Sequence, residues 1–135
     1  MKTIKAFIER GKDGSFGVYH NEDLPVGFFG DGQTKQEAVD DYLNSYKEMI
    51  QEVDGKDKEI MESLEFEFVI DIRSYLEYYS QFFTLAGLAK LTKVSASQLS
   101  HYLNGYKTPS PKTAKKIEDG LISFANDLEG LRLTR

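Results

Sequence analysis

Thr84-Leu-Ala-Gly-Leu-Ala-Lys-Leu-Thr-Lys-Val-Ser-Ala-Ser-Gln-Leu-Ser-His-Tyr-Leu-Asn-Gly105 reads as two short helices joined by a tight turn and closed by a helix stop. Thr84 caps the first, and Leu85, Leu88 and Ala89 recur at helical spacing on its inward side. Ala89 is small where two helices are expected to cross closely. Val94 fills the turn. Ser95 then caps the second helix, with Gln98 three residues on in a Ser-x-x-Gln box, and Leu99 and Leu103 supply its buried side. Asn104-Gly105 ends that helix through a left-handed conformation.

Outward from this stretch the helical pattern continues both ways. Tyr75, Leu76, Tyr79 and Phe82/Phe83 give a preceding helix from Asp71. Ser110-Pro111 opens a last helix with a cap and a proline in its first turn, and Ala114, Ile117, Leu121, Phe124 and Leu128 form its inward face. Leu128, Leu131 and Leu133 run past that core pattern, which suits a contact between copies of the chain. The forty residues from Tyr78 to Ile117 contain no Asp or Glu and six lysines. Two helices in this arrangement, free of acids, imply a DNA-reading module. Ala96, Ser97, Gln98 and His101 face outward early in the reading helix and have the size and hydrogen-bonding character to meet base edges in a major groove. Lys93, Lys107 and Thr108 flank that helix and suit phosphates, which set register and salt dependence but not sequence. Lys112, Lys115 and Lys116 read mainly as a solvated helix face.

The N-terminal half has a different grammar. Ile4, Ala6 and Ile8 alternate with Lys5, Phe7 and Glu9, giving a strand; Asp13-Gly14 supplies a turn; Phe16 to His20 returns as a second strand. Val26 to Phe29 is expected as a short third strand. Thr34, with Glu37 three residues on, opens a helix whose apolar face is Ala38, Tyr42, Tyr46, Met49, Ile50 and Val53. Residues 51–63, charged and containing Asp54-Gly55, read as the helix end and a linker. Phe66, Phe68, Ile70 and Ile72 alternate into a fourth strand. The expected architecture is α+β, with a small antiparallel-type sheet and one packed helix in residues 1–70, followed by an all-α helix-turn-helix domain in residues 71–135.

Charge divides the chain in the same place. Residues 81–135 carry eight Lys/Arg and four Asp/Glu, a net of +4, whereas residues 1–80 carry nine and eighteen, a net of −9. Opposite signs suggest nucleic acid for one half and a basic protein for the other. The absence of cysteine excludes disulfides and cysteine zinc sites. Asp31, Asp40 and Asp41 fit a helix start better than a metal site, and His20 stands near a strand end without a catalytic neighbour. The expectation is a non-enzymatic protein without cofactor or metal, acting in the cytoplasm and independent of membranes.

Two resemblances organise these readings. Residues 84–111 resemble the repressor-type (Xre, Cro/phage-repressor) helix-turn-helix through Ala89, Val94-Ser95, Leu99-Ser100, Leu103-Asn104-Gly105 and Pro109. Lys93 departs from the turn glycine usual there, and Leu85-Ala86 from a common Gln or Glu. Residues 4–53 look like the N-terminal domain of HicB antitoxins through the aromatic hairpin, Asp23-Leu24-Pro25, and Gly30-Asp31-Gly32 leading into Thr34-Lys-Gln-Glu-Ala-Val39, with Gly32-Gln33 as a small insertion. The resemblance implies a partial ribonuclease-H-like fold without its activity. It also implies a HicA-type mRNA-cleaving toxin as protein partner, operator DNA as the second partner, and a homodimer or higher homo-oligomer. The alternative is a stand-alone repressor whose N-terminal part binds a small ligand or only oligomerises.

Overall fold

The computed structural model describes residues 2–132 and divides into two compact units, residues 1–78 and 79–135. Leu133, named above for a contact between copies, lies outside the described residues.

The first unit is a four-stranded sheet with helices. β1 (Lys2–Arg10) pairs antiparallel with β2 (Phe16–Tyr19), which pairs antiparallel with β3 (Gly30–Gly32); the chain then forms α1 (Lys35–Ile50), α2 (Gly55–Glu62) and β4 (Leu64–Ile70), and the sheet order is β3-β2-β1-β4. The sheet is mixed, not antiparallel: β4 runs parallel to β1, with Ile4 beside Phe66 and Ile8 beside Ile70. The cause is the crossover. Sixteen residues of α1, about 24 Å at 1.5 Å per residue, carry the chain back across the sheet, so β4 starts from the same end as β1.

The third strand also differs from expectation. Residues 26–29 form no strand, and the pairing falls to Gly30-Asp31-Gly32. A Cβ on Gly30 would stand 2.3 Å from the Tyr42 nitrogen and 2.5 Å from the Ala38 carbonyl oxygen. The backbones of β3 and α1 approach that closely, so only glycine fits, whereas Phe28 is used as core instead of strand.

The inner face of the sheet follows the alternation read from sequence. Ile4, Ala6, Ile8, Val18 and Leu64 are buried together with Ala38, Tyr42, Met61 and Phe28. Each such large side chain contributes roughly 1.5–3 kcal/mol. Thr34 caps α1 by accepting the Glu37 N–H at 3.1 Å, as its spacing predicted. Residues 51–63 are not merely a linker, because α2 lies within them. α2 shows little periodicity: Met61 is its buried anchor, held also by a hydrogen bond from the Tyr46 hydroxyl to the Met61 carbonyl. α3 (Ile72–Tyr79) is fastened to the sheet unit: the Arg10 N–H donates to Ser74 Oγ at 2.9 Å, the Tyr19 hydroxyl to Asp71 Oδ2 at 2.9 Å, and the Arg10 guanidinium lies over the rings of Phe16 and Tyr78.

The second unit holds α4 (Leu85–Thr92), α5 (Ala96–Leu103) and α6 (Pro111–Glu129), bounded as the cap residues predicted. Thr84, Ser95 and Ser110 each accept an N–H three residues on, from Gly87, Gln98 and Thr113. Leu88, Val94, Leu99, Tyr102 and Ile117 are its buried apolar residues. Leu128, expected to face inward, is exposed. The tight helix crossing is at Gly120 of α6, where a Cβ would lie 2.3 Å from the Leu91 carbonyl oxygen and 2.7 Å from Thr92 Cα. Among the described residues no helix is long and apolar enough to cross a membrane, and no cluster of three His, Asp or Glu could hold a metal.

Candidate nucleic-acid interface

The turn between α4 and α5 is where the sequence departs from glycine. Lys93 ends α4 in the left-handed region at φ 61°, the single non-glycine with positive φ among the described residues. A side chain in that region costs about 1–2 kcal/mol. The turn is held by other bonds: the Lys93 N–H donates to the Ala89 carbonyl at 2.9 Å, and the Val94 N–H to the buried Thr92 hydroxyl at 3.3 Å, which itself donates to the Leu88 carbonyl. Lys93 is exposed, so its ammonium is presented at the entrance to α5.

α5 is sorted by its buried side. Leu99 and Tyr102 are buried, which leaves Ser97 and Gln98 exposed and Ala96, Ser100 and His101 half-buried. Ser97, Gln98 and His101 are spaced one and three residues apart, so they lie on neighbouring turns of one helix side. The Ser95–Gln98 pair forms one half of the expected box. Ser95 Oγ accepts the Gln98 N–H at 3.2 Å, while no bond from the Gln98 side chain back to the Ser95 N–H is found among the described residues. The Gln98 amide is therefore not spent on the cap.

The loop after α5 adds a residue the sequence reading did not single out. Gly105, at φ 78°, turns the chain left-handedly as expected. The Tyr106 N–H then donates to Asn104 Oδ1 at 2.9 Å, and the Lys107 N–H to the His101 carbonyl at 3.1 Å. The Tyr106 ring lies 5.1 Å from the His101 ring and is 74% exposed. This fixes His101 from outside the helix and ties Lys107 and Thr108, both exposed, to the end of α5. The signal in sequence is an aromatic directly after the helix stop.

Cations bracket α5 without competing anions. No ion pair is found for Lys90, Lys93, Lys107, Lys112 or Lys116 among the described residues, while Lys115 meets Asp119 at an exposed 3.4 Å. The seven residues named from sequence therefore all lie in one unit, on the turn, on α5 and in the loop that follows it.

In the first unit His20 is not at the surface alone. Its Nδ1 lies 2.9 Å from the Tyr42 hydroxyl, and its ring packs 4.7 Å from Phe28. Burial pushes its pKa below the ordinary histidine value, with Glu22 acting in the opposite sense. Burial likewise pushes the Tyr42 hydroxyl up. Glu9 is raised by burial and by neighbouring Asp71. These groups are partners in packing, and no nucleophile with an adjacent base stands among them.

No curated protein and no solved structure gives a significant match to the chain. Residues 72–121, from the start of α3 to the middle of α6, match the helix-turn-helix family. That match and the α4–turn–α5 geometry identify the C-terminal segment as a repressor-type helix-turn-helix, the kind carried by sequence-specific DNA-binding regulators.

Proposed function

We propose that the protein is an antitoxin that also represses its own operon. Its second unit binds operator DNA with α5 in the major groove, and its first unit binds a basic protein. The HicB resemblance names that protein as a small HicA-type toxin that cleaves mRNA. The chain acts by binding and not by catalysis, in the cytoplasm, as a homodimer or higher homo-oligomer. The observation that carries the DNA half is α5 itself: an exposed Ser97-Gln98 pair and His101, bracketed by Lys93 and Lys107, with no acid on the helix. The toxin half is supported by the net of −9 over residues 1–80, which favours a basic partner.

Co-expression of the full chain with the small open reading frame beside its gene tests the toxin half. Co-purification of a basic protein whose toxicity is relieved is the expected result. Its absence sinks the antitoxin reading and leaves a stand-alone repressor whose first unit binds a small ligand or oligomerises. On the DNA half, Ser97→Ala, Gln98→Ala and His101→Ala should each cost roughly 1–3 kcal/mol of specific binding with little change on random DNA. Equal losses on both would remove them from base contact.

A further inference from the structure

β4 is the outer strand of the sheet, next to β1 on one side and to no other strand. The two ends of its ladder fix which of its residues face β1. The Lys2 N–H donates to the Ser63 carbonyl at 3.1 Å, and the Asp71 N–H donates to the Ile8 carbonyl at 2.8 Å. Odd-numbered residues thus bond to β1, and the alternation of a parallel ladder turns the N–H and C=O of Leu64, Phe66, Phe68 and Ile70 outward. Among the described residues no hydrogen bond closes these groups. A seven-residue edge is long, and it carries no proline, lysine or bulge of the sort that blunts such edges.

The two faces of this edge differ. On one, Phe66 packs 5.3 Å from Tyr42 and 4.9 Å from Tyr46, and Phe68 lies 6.0 Å from Tyr42 while remaining 36% exposed. This is an apolar shelf that stops at the edge. On the other face stand Glu65 and Glu67, both exposed. That charge decides the partner. A second copy pairing antiparallel about Phe66 would set Glu65 opposite Glu67, and pairing about Glu67 would set Glu67 opposite itself. Like charges directly opposite are destabilising, so both of these registers are disfavoured for a second copy. A strand with Lys or Arg on the outer side and Val or Ile on the shelf side meets complementary groups on both faces.

We propose that β4 is a strand-addition site for a basic, β-forming segment of another protein, which would extend the sheet to five strands and pair its cations with Glu65 and Glu67. This rests on the reading of the first unit as a module that binds a basic protein, and it adds the surface and the mode of binding.

Amide-resolved hydrogen exchange on the full chain tests it, with an end-blocked seven-residue peptide alternating Lys and Val as the probe. The peptide should slow exchange of the Phe66 and Phe68 amides. The same peptide N-methylated on its β4-facing amides keeps the charge and loses the donors, and should give no protection. The double variant Glu65→Lys, Glu67→Lys, altered only at exposed positions, should bind the Lys/Val peptide about tenfold more weakly and accept a Glu/Val peptide in its place. Protection missing at saturating peptide, protection that survives N-methylation, or charge reversal without effect each overturns the proposal. Its failure is separable from that of the antitoxin reading: an unprotected β4 with intact co-purification moves the docking surface elsewhere, whereas failed co-purification removes the basic partner itself.

Discussion

Lys93 shows how one residue can serve stability and function in opposite directions. Its left-handed backbone costs about 1 kcal/mol that glycine would not cost. Lys93→Gly should therefore raise the unfolding free energy by about that amount in urea titration, while the slope of log affinity against log salt on random DNA flattens by about one. A stabilised variant with an unchanged slope would take Lys93 out of the phosphate contacts. The sequence showed this position as a departure from glycine, because a turn needing positive φ can be located by its neighbours. It did not show Tyr106, whose contact with His101 depends on how the loop folds back. His20 was equally illegible, since its partner Tyr42 is 22 positions away. Its depressed pKa has a definite sign. Above pH ~6.5 both folded and unfolded His20 are neutral and the contribution is complete. As pH falls through that value the unfolded chain takes a proton that the folded one refuses until its own lower pKa, so stability is lost. Wild type should lose more stability between pH 7.5 and 5.5 than His20→Gln does; identical losses would assign the pH dependence to other groups.

At the scale of elements, caps and periodicity carried most of the information, and backbone proximity carried what was missed. Thr34, Ser95 and Ser110 opened helices where their spacing predicted, because a cap is a local bond between residues three apart. The direction of β4 was not local. It depended on α1 spanning the sheet, and the charged stretch that conceals α2 offers only Met61 as a buried anchor. The same limit explains Gly120. A glycine inside a helix ordinarily costs about 1 kcal/mol relative to alanine, so Gly120→Ala judged by propensity should stabilise α6. The structure predicts the reverse, since the new Cβ would press on the α4 main chain at Leu91 and Thr92, which cannot swing aside as a side chain would. A net loss of roughly 1–3 kcal/mol is expected in urea unfolding of the second unit. A gain would show that α4 and α6 can separate without penalty.

For the whole molecule, the reading of one helix-turn-helix sets a requirement that the chain alone does not meet. A single short α5 covers a few base pairs, and repressors of this type gain specificity by placing two such helices on half-sites about one DNA turn apart. The second unit has a surface suited to that pairing: Tyr79, Phe82, Phe83, Leu121, Phe124 and Leu128 line a groove of about 280 Å³, and Phe82 is 64% exposed. The β4 edge, by contrast, sets Glu65 and Glu67 against a second copy paired about Phe66 or Glu67. The proposed function accordingly assigns self-association to the basic half and the foreign partner to the acidic one. In the sequence that proposed division rests on charge, because net charge adds up regardless of fold. The sequence conveyed this groove only in part: Leu128 stood both on the inward face of the last helix and among the residues suited to a contact between copies, whereas Phe82 was assigned to a helix that ends at Tyr79. Phe82→Glu and Leu128→Glu alter exposed groove residues, so each should leave far-UV circular dichroism unchanged. In sedimentation equilibrium each should weaken the self-association of the chain, and binding to a two-half-site operator should fall to the level of a single half-site. A variant with unchanged self-association would place the self-contact outside this groove, and one with weakened self-association but undiminished operator affinity would mean that a single helix-turn-helix suffices.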